Sequence, residues 1–385
     1  MRVALIYGDW CLSFRGAWDF RDLWHDPRGM SGSELAFVRI AQELVKLGHE
    51  VTLFTTAGHI DASGNKVQQK DFNGIPVKPL AERVDFDGDV ALVLNEPELL
   101  RDCTKVKVRA CEQYLNSFEY CRLGFDSHVD LWLSPSDSHR DMILGMKHEH
   151  DLRIDGSPRG YYEPDPAKWV TVPLGCDPER YGNAPKVSGR VVYCSSPDRG
   201  LHLLLQEWPK IKKAAPHASL RIFYRLKPWL DDMHNMRYNP AVEPLRARGY
   251  YIEECLRRMP DMGIEICDSV SRERIEQEMS AAESLAYPCD TIRYSEGFSC
   301  TILECCAARA CPVIFDTDAL GSIYGNACAV VPRGDMGAWS DTIIRALQDS
   351  EFREATNRTA RALAEELTWQ KRTKTLESVL LSRMG

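Results

Sequence analysis

Two neighbouring runs decide how this chain is read: Leu285-Ala286-Tyr287-Pro288, and soon after it Glu296-Gly297-Phe298-Ser299-Cys300-Thr301-Ile302-Leu303-Glu304. The first has the apolar continuity of a strand end. Thr301-Ile302-Leu303-Glu304-Cys305-Cys306-Ala307-Ala308 reads as a helix opening, with Ser299 or Cys300 near its N-cap. The turn between them then presents amides that no helical carbonyl accepts, at the positive end of a helix dipole, which is a ready site for phosphate oxygens. Gly297 lets the backbone come close to a ligand. Glu304, about one turn into the helix, is placed to accept two hydrogen bonds from a vicinal diol such as a ribose. Glu296 lies before the turn, on the other side of the phosphates. The competing reading is a surface glutamate pair flanking an ordinary β-to-α turn.

Outward from this unit, strand and helix alternate. Strands are predicted at Arg190-Val191-Val192-Tyr193-Cys194, from Ser219 to Tyr224, from Ile264 to Ile266, from Ala282 to Tyr287, from Pro312 to Phe315 and from Ala329 to Val331. Helices are predicted from Leu201 to Lys213, Arg272 to Ala281 and Met336 to Gln348, and the run from Tyr224 to about Met262 reads as a polar insertion. Nearer the start, Arg2-Val3-Ala4-Leu5-Ile6-Tyr7 is a buried-type strand, and a long loop follows with Trp10, Phe14, Trp18, Phe20 and Trp24. Ser31-Gly32-Ser33-Glu34 forms a capping box before the apolar stripe Leu35, Val38, Ile40, Ala41, Leu44, Val45, which stops at Gly48. Further strands are expected at 51–55, 75–77, 90–94, 105–108, 131–134 and 170–173, and a Gly/Asn/Pro-rich linker runs to Pro185. There is no G-x-G-x-x-G and no Walker pattern, which argues against a nicotinamide cofactor or an NTP-hydrolysing P-loop.

A chain of 385 residues suits two domains, and 44% hydrophobic with 27% charged residues is the composition of a soluble globular protein. The opening run is too short and too soon interrupted for a leader, and nothing approaches the ~18 apolar residues of a membrane span, so a cytoplasmic location is expected. The net charge of −8 argues against tight, sequence-independent nucleic-acid binding; Arg246, Arg248, Arg257 and Arg258 form a local basic patch or a solvated helix face. The 14 cysteines include no C-x-x-C and read as reduced, buried small hydrophobes. Cys300, Cys305, Cys306 and Cys311 have spacings that suit no common zinc site, so no metal is expected there.

Taken together, several segments resemble the retaining GT-B glycosyltransferases, the large nucleotide-sugar-dependent group called family 4 or group 1. Gly48-His49-Glu50-Val51-Thr52-Leu53 looks like its strand entry, Ser31-Gly32-Ser33-Glu34 like its N-terminal Gly-rich loop, and Leu174-Gly175-Cys176-Asp177 like its linker. Ser195-Ser196-Pro197-Asp198-Arg199-Gly200-Leu201 falls where the family has a basic residue and glycine before a helix, Glu296 through Glu304 matches its E-x₇-E, and Pro312-Val313-Ile314 fits the strand after it. The resemblance spans nearly the whole chain in order. It implies an α/β fold of two Rossmann-like, doubly wound domains facing a central cleft: an acceptor domain at 1–180, a donor domain at 186–369, and a segment 370–385 packing back on the first.

The resemblance also implies roles. Arg199 would sit opposite the donor diphosphate, with Glu296 on the transferred sugar and Glu304 on the ribose. Gly297, Phe298, Ser299, Cys300 and Thr301 would form the donor turn, and Gly32 and Ser33 would close over the phosphates. Two positions depart from the family. Arg109-Ala110-Cys111-Glu112-Gln113-Tyr114 lacks the usual histidine, which Glu112 or Gln113 replaces, and Cys194 stands where a second basic residue is common, with Arg225 or Lys227 as candidates to compensate. Asp85-Phe86-Asp87 and Asp316-Thr317-Asp318 look like metal-holding D-x-D pairs but read as turn carboxylates. The expected activity is metal-independent transfer of a hexosyl or pentosyl group, with retention, from a UDP- or GDP-linked donor to an acceptor hydroxyl and with no bound cofactor. A glycan or lipid-linked glycan is the first acceptor class and a modified nucleic-acid base the second. A nucleotide-sugar epimerase and a non-catalytic nucleotide-sugar-binding relative are the alternatives.

Overall fold

The computed structural model describes residues 1–8, 19–61, 63–118, 121–122, 124–145, 148–150, 160–182, 184–235, 243–292 and 294–385. The chain divides into two units. The first comprises Met1–Leu23, Met30–Gly175 and Trp369–Gly385, and the second Trp24–Gly29 and Cys176–Thr368.

In the first unit, β1 (Arg2–Tyr7) is buried from Val3 onward, as expected of a strand apolar on both faces in a parallel sheet covered on both sides. It leads to α1 (Gly32–Lys46), where the Ser31 hydroxyl accepts from the Glu34 amide and the Glu34 carboxylate from the Ser31 amide. The chain continues through β2 (Glu50–Thr55), a hairpin of β3 (Gly58–Ile60) and β4 (Lys66–Gln68), β5 (Asp71–Phe72), β6 (Ile75–Pro79), β7 (Gly88–Leu94), β8 (Val106–Glu112), β9 (Leu131–Ser134) and α2 (Asp137–Leu144). A small pair, β10 (His148–His150) and β11 (Gly160–Tyr162), precedes β12 (Trp169–Thr171). The main sheet runs β12-β9-β8-β7-β1-β2-β6-β5, parallel except where β5 meets β6. On one face Trp132 and Trp169 stack with ring centres 5.1 Å apart, beside Phe118 and Phe125. Strand order reverses between β1 and β7. There a Cβ on Gly8 would fall 1.4 Å from a carboxylate oxygen of Glu96, so a larger residue would require that side chain to move.

The second unit is built from β13 (Arg190–Tyr193), α3 (Leu201–Ala214), β14 (Ser219–Ile222), α4 (Leu226–Asn235), α5 (Glu243–Arg258), β15 (Ile264–Ile266), α6 (Arg272–Ala281), β16 (Ser284–Tyr287), α7 (Cys300–Ala307) and β17 (Cys311–Asp316). It is completed by α8 (Leu320–Tyr324), β18 (Ala329–Pro332), α9 (Met336–Gln348) and α10 (Ser350–Glu366). Its sheet is parallel throughout, ordered β15-β14-β13-β16-β17-β18. The run read as a polar insertion contains two helices, α4 and α5. They bury Leu226, Leu230, Met233 and Ile252, an apolar stripe at helical spacing that dense surface charge hides in the sequence. The last helix, α11 (Trp369–Met384), belongs to the first unit.

Trp10, Phe14 and Trp18 lie outside the described residues. Phe20 is buried against Phe72, with ring centres 4.9 Å apart, and Trp24 lies under the Arg180 guanidinium at 4.6 Å. Both rings act as anchors. The segment around Trp24 is tied to the second unit, where its carbonyl accepts from the Glu273 amide at 3.2 Å.

Candidate functional site

In the second unit the strand order reverses between β13 and β16, and the loops leaving their carboxyl ends, 194–200 and 288–292 with 294–299, meet there. Open parallel sheets bind ligands at such a switch point. The approach is close. Gly200 has φ +98°, and a Cβ on it would fall 1.8 Å from the Pro288 carbonyl oxygen. Replacing Gly200 by alanine is therefore expected to cost about 2–5 kcal/mol, from a disfavoured φ plus steric overlap. Urea unfolding checks it as a lower midpoint at unchanged slope.

This approach brings Arg199, at the turn before α3, to Glu296, with guanidinium Nη1 donating to Glu296 Oε2 at 2.7 Å. The same oxygen accepts from the Tyr287 hydroxyl at 2.7 Å. Arg199 Nη2 and Glu296 Oε1 have no hydrogen-bond partner among the described residues. Burial pushes the Glu296 carboxyl above the ordinary carboxylate range, while Arg199 and the Tyr287 hydroxyl pull it back. Burial also opposes charge on Arg199, but Glu296, Tyr287 and Asp198 together outweigh it and hold the guanidinium above its usual value. The loop before Glu296 is fastened by Asp318, whose Oδ2 accepts from Thr291 Oγ1 (2.9 Å) and from the amides of Ser295 (2.9 Å) and Glu296 (3.0 Å). Asp290, earlier in that loop, takes Arg248 at 2.9 Å and Arg333 at 2.7 Å.

Ser299 caps α7, its hydroxyl accepting from the Ile302 amide at 3.3 Å, and the amides of Cys300 and Thr301 fall in the first turn, where no helical carbonyl reaches them. Gly297 and Phe298 lead into that turn. The Thr301 hydroxyl is committed to the Cys194 carbonyl at 2.9 Å, tying α7 to the end of β13. Glu304, further along α7, is 3% exposed, and both its oxygens are gripped by the guanidinium of Arg272, which is 8% exposed. Arg272 also donates to the Tyr181 hydroxyl and, through Nε, to Glu276 at 3.1 Å. Burial drives the Glu304 carboxyl upward against the pull of Arg272. Burial likewise opposes charge on Arg272, which Glu304, Tyr181 and Glu276 together overcome, leaving it well above its usual value.

Of the other residues singled out in the sequence, Gly32, Ser33, Glu112 and Gln113 belong to the first unit. The Lys227 ammonium pairs with Asp231 one turn along α4 at 3.0 Å, and its side chain is 83% exposed. Arg225 is exposed beyond the end of β14. Gly32 and Ser33 open α1 in the first unit. Glu112 has partners of its own within the first unit. It ends β8 fully buried, its carboxylate paired with Arg372 of α11 and accepting from the Tyr114 hydroxyl at 3.1 Å, because a carboxylate carried so deep into the sheet needs a cation beside it. Gln113 is buried next to it. The basic patch is also dissolved: Arg257 and Arg258 share Glu254, Arg246 pairs with Glu243, and Arg248 turns inward to Asp290. Among the described residues no group of three or more His, Cys, Asp or Glu is placed to hold a metal ion. No helix among them is long and apolar enough to cross a membrane.

Tyr287, Asp318, Arg272 and Tyr181 complete the site, and the sequence reading assigned none of them a part in it. Asp318 carried a signal, since it lies in the D-x-D run read as a turn, and it adopts a positive φ of 53°.

No protein-family model matches the chain, and no curated protein matches it. Its fold is that of the GT-B glycosyltransferases, two Rossmann-like units in one chain. The similar structures include AviGT4, a glycosyltransferase involved in avilamycin A biosynthesis, at 16% identity over 100% of this chain and 98% of that one, with a TM-score of 0.65. Anabaena HepE, solved with UDP and glucose, is 12% identical over 99% and 100%, with a TM-score of 0.66. Trehalose-6-phosphate synthase OtsA is 9% identical over 99% of each chain, with a TM-score of 0.69. At these identities the likeness is one of fold.

Proposed function

We propose that the chain is a retaining, nucleotide-sugar-dependent glycosyltransferase that moves a sugar from a UDP- or GDP-linked donor to an acceptor hydroxyl, with no metal in the transfer step. One observation carries the reading. At the switch point of the second unit, Arg199 and Glu296 hold each other by one atom each and leave one nitrogen and one oxygen for a ligand, beside the first turn of α7. A cation and a helix N-terminus on one side suit a diphosphate, and a carboxylate oxygen next to them suits the hydroxyls of the sugar it carries.

In this reading the acceptor hydroxyl attacks the anomeric carbon on the face the diphosphate leaves. The bond from that carbon to the phosphate oxygen breaks, and the departing phosphate takes the acceptor proton. Arg199 and the amides around Gly297 to Thr301 stabilise the charge that grows on the leaving diphosphate. Glu296 orients the sugar, and Glu304 with Arg272 forms the polar wall for the ribose. Two neighbours support the donor class: HepE was solved with UDP and glucose, and a trehalose-6-phosphate synthase with UDP-2-fluoro glucose. Another trehalose-6-phosphate synthase study concerns glycosyl transfer with retention.

The non-catalytic reading has two observations in its favour, Cys194 at the second basic position and Glu112 sealed by Arg372. Binding is tested by thermal shift with UDP, GDP and their sugar conjugates. A donor at 100 times its Kd is expected to stabilise the fold by about 2.7 kcal/mol. No stabilisation by any of them would overturn both readings.

A further inference from the structure

We propose that Tyr287 is a positioning residue of the sugar subsite, fixing which oxygen of Glu296 meets the donor sugar; this rests on the glycosyltransferase reading above. Tyr287 is the last residue of β16, and its ring lies in the core, 6.2 Å centre to centre from that of Tyr193. Only its hydroxyl emerges at the switch point, where it meets two polar groups from separate loops: Glu296 Oε2 at 2.7 Å and Ser195 Oγ at 3.1 Å.

A carboxylate on a loop can rotate to present either oxygen. Here Oε2 takes two short hydrogen bonds from opposite sources, Arg199 Nη1 on the α3 side and Tyr287 on the sheet side, so rotation would break both. Oε1 has no hydrogen-bond partner among the described residues and is the oxygen assigned to the donor sugar. The rigid element in this arrangement is the tyrosine, because its ring is locked by core packing whereas Arg199 is a long side chain partly open to solvent. Burial pushes the Tyr287 phenol well above its ordinary pKa, which favours its protonated, donating form. Ser195 completes the chain as the next group on the hydroxyl, linking the end of β13 to the same point.

The contribution of Tyr287 runs through Glu296, which separates it from a residue that merely fills the core. The phenylalanine variant keeps the ring and its packing and removes only the hydroxyl. Calorimetry compares UDP with UDP-glucose and UDP-N-acetylglucosamine, and GDP with GDP-mannose, for the wild type, Tyr287→Phe, Glu296→Gln and the double variant; unfolding midpoints confirm that each is folded. The expected result is unchanged affinity for the bare nucleoside diphosphate, and a loss of about 10- to 100-fold for the sugar conjugate in Tyr287→Phe. Glu296→Gln should lose at least as much, and adding Tyr287→Phe to it should cost nothing further. Equal losses for the bare nucleotide and the conjugate, no loss, or losses that add in the double variant would each overturn the positioning role while leaving the glycosyltransferase reading in place. A wild type that binds none of these nucleotides would overturn that reading, and the inference with it.

Discussion

Glu304→Ala is expected to destabilise the second unit by about 3–5 kcal/mol as well as to abolish tight nucleotide binding. The reason lies in Arg272. Both oxygens of Glu304 are held by that guanidinium inside the protein, so truncating the glutamate strands a buried positive charge with only Tyr181 and Glu276 beside it. Breaking a buried pair in this way costs far more than the pair is worth, whereas replacing both partners with apolar groups of similar volume is often neutral or better. The double variant Arg272→Met/Glu304→Leu should therefore recover most of the lost urea midpoint. It should not recover nucleotide binding if Glu304 and Arg272 face the ribose. Calorimetry with UDP and GDP on that folded double variant separates the two effects, and wild-type affinity there would remove Glu304 from the donor site.

The second large effect is expected at Arg199. Its replacement by alanine should lower kcat by about 10²- to 10³-fold, the range for removing one preorganised group from a developing anion, with a smaller loss of donor affinity. A kcat loss larger than the affinity loss is the signature of an interaction made mainly in the transition state. Arg199→Lys should recover only part of the rate, because a point charge cannot bridge Glu296 and a phosphate oxygen as a planar fork can. The substitution also takes from Glu296 the cation that opposes the upward push of burial, so the Glu296 carboxyl should hold its proton to higher pH. The acid side of the rate profile is then expected to move to higher pH in Arg199→Ala. Equal falls in kcat and affinity, with an unmoved profile, would instead make Arg199 a simple binding residue.

The parts of this site that follow local rules were legible in the sequence. The Ser299 cap, the Ser31 and Glu34 capping box and the strand before Tyr287 all depend on residues within a few positions of one another. Arg199 and Glu296 could be paired only by resemblance, since 97 positions separate them. What stayed hidden has a physical cause. Glu304 reads as a ribose ligand from its place one turn into the helix; that Arg272, from another helix, holds both its oxygens could not be read locally. Glu112 is singled out because it stands where the resembled family has a histidine; that α11 returns from the far end of the chain with Arg372 beside it could not be read locally. The Lys227–Asp231 pair is readable only once the run that reads as a polar insertion is known to be helical there. Tyr287 was read as an apolar strand residue, which its ring is; its hydroxyl gains a role only when the turn brings Glu296 back over the strand end.

The most direct test of the central claim is to incubate the full chain with the nucleotide sugar that stabilises it best, leaving water as the only acceptor, and follow the mixture by NMR. The account predicts slow release of free nucleoside diphosphate and free sugar in equal amounts. The sugar should first appear in the donor's own anomeric configuration, and release should be lost in Arg199→Ala. A donor that stays intact, or that turns into an isomeric nucleotide sugar without release, would contradict it.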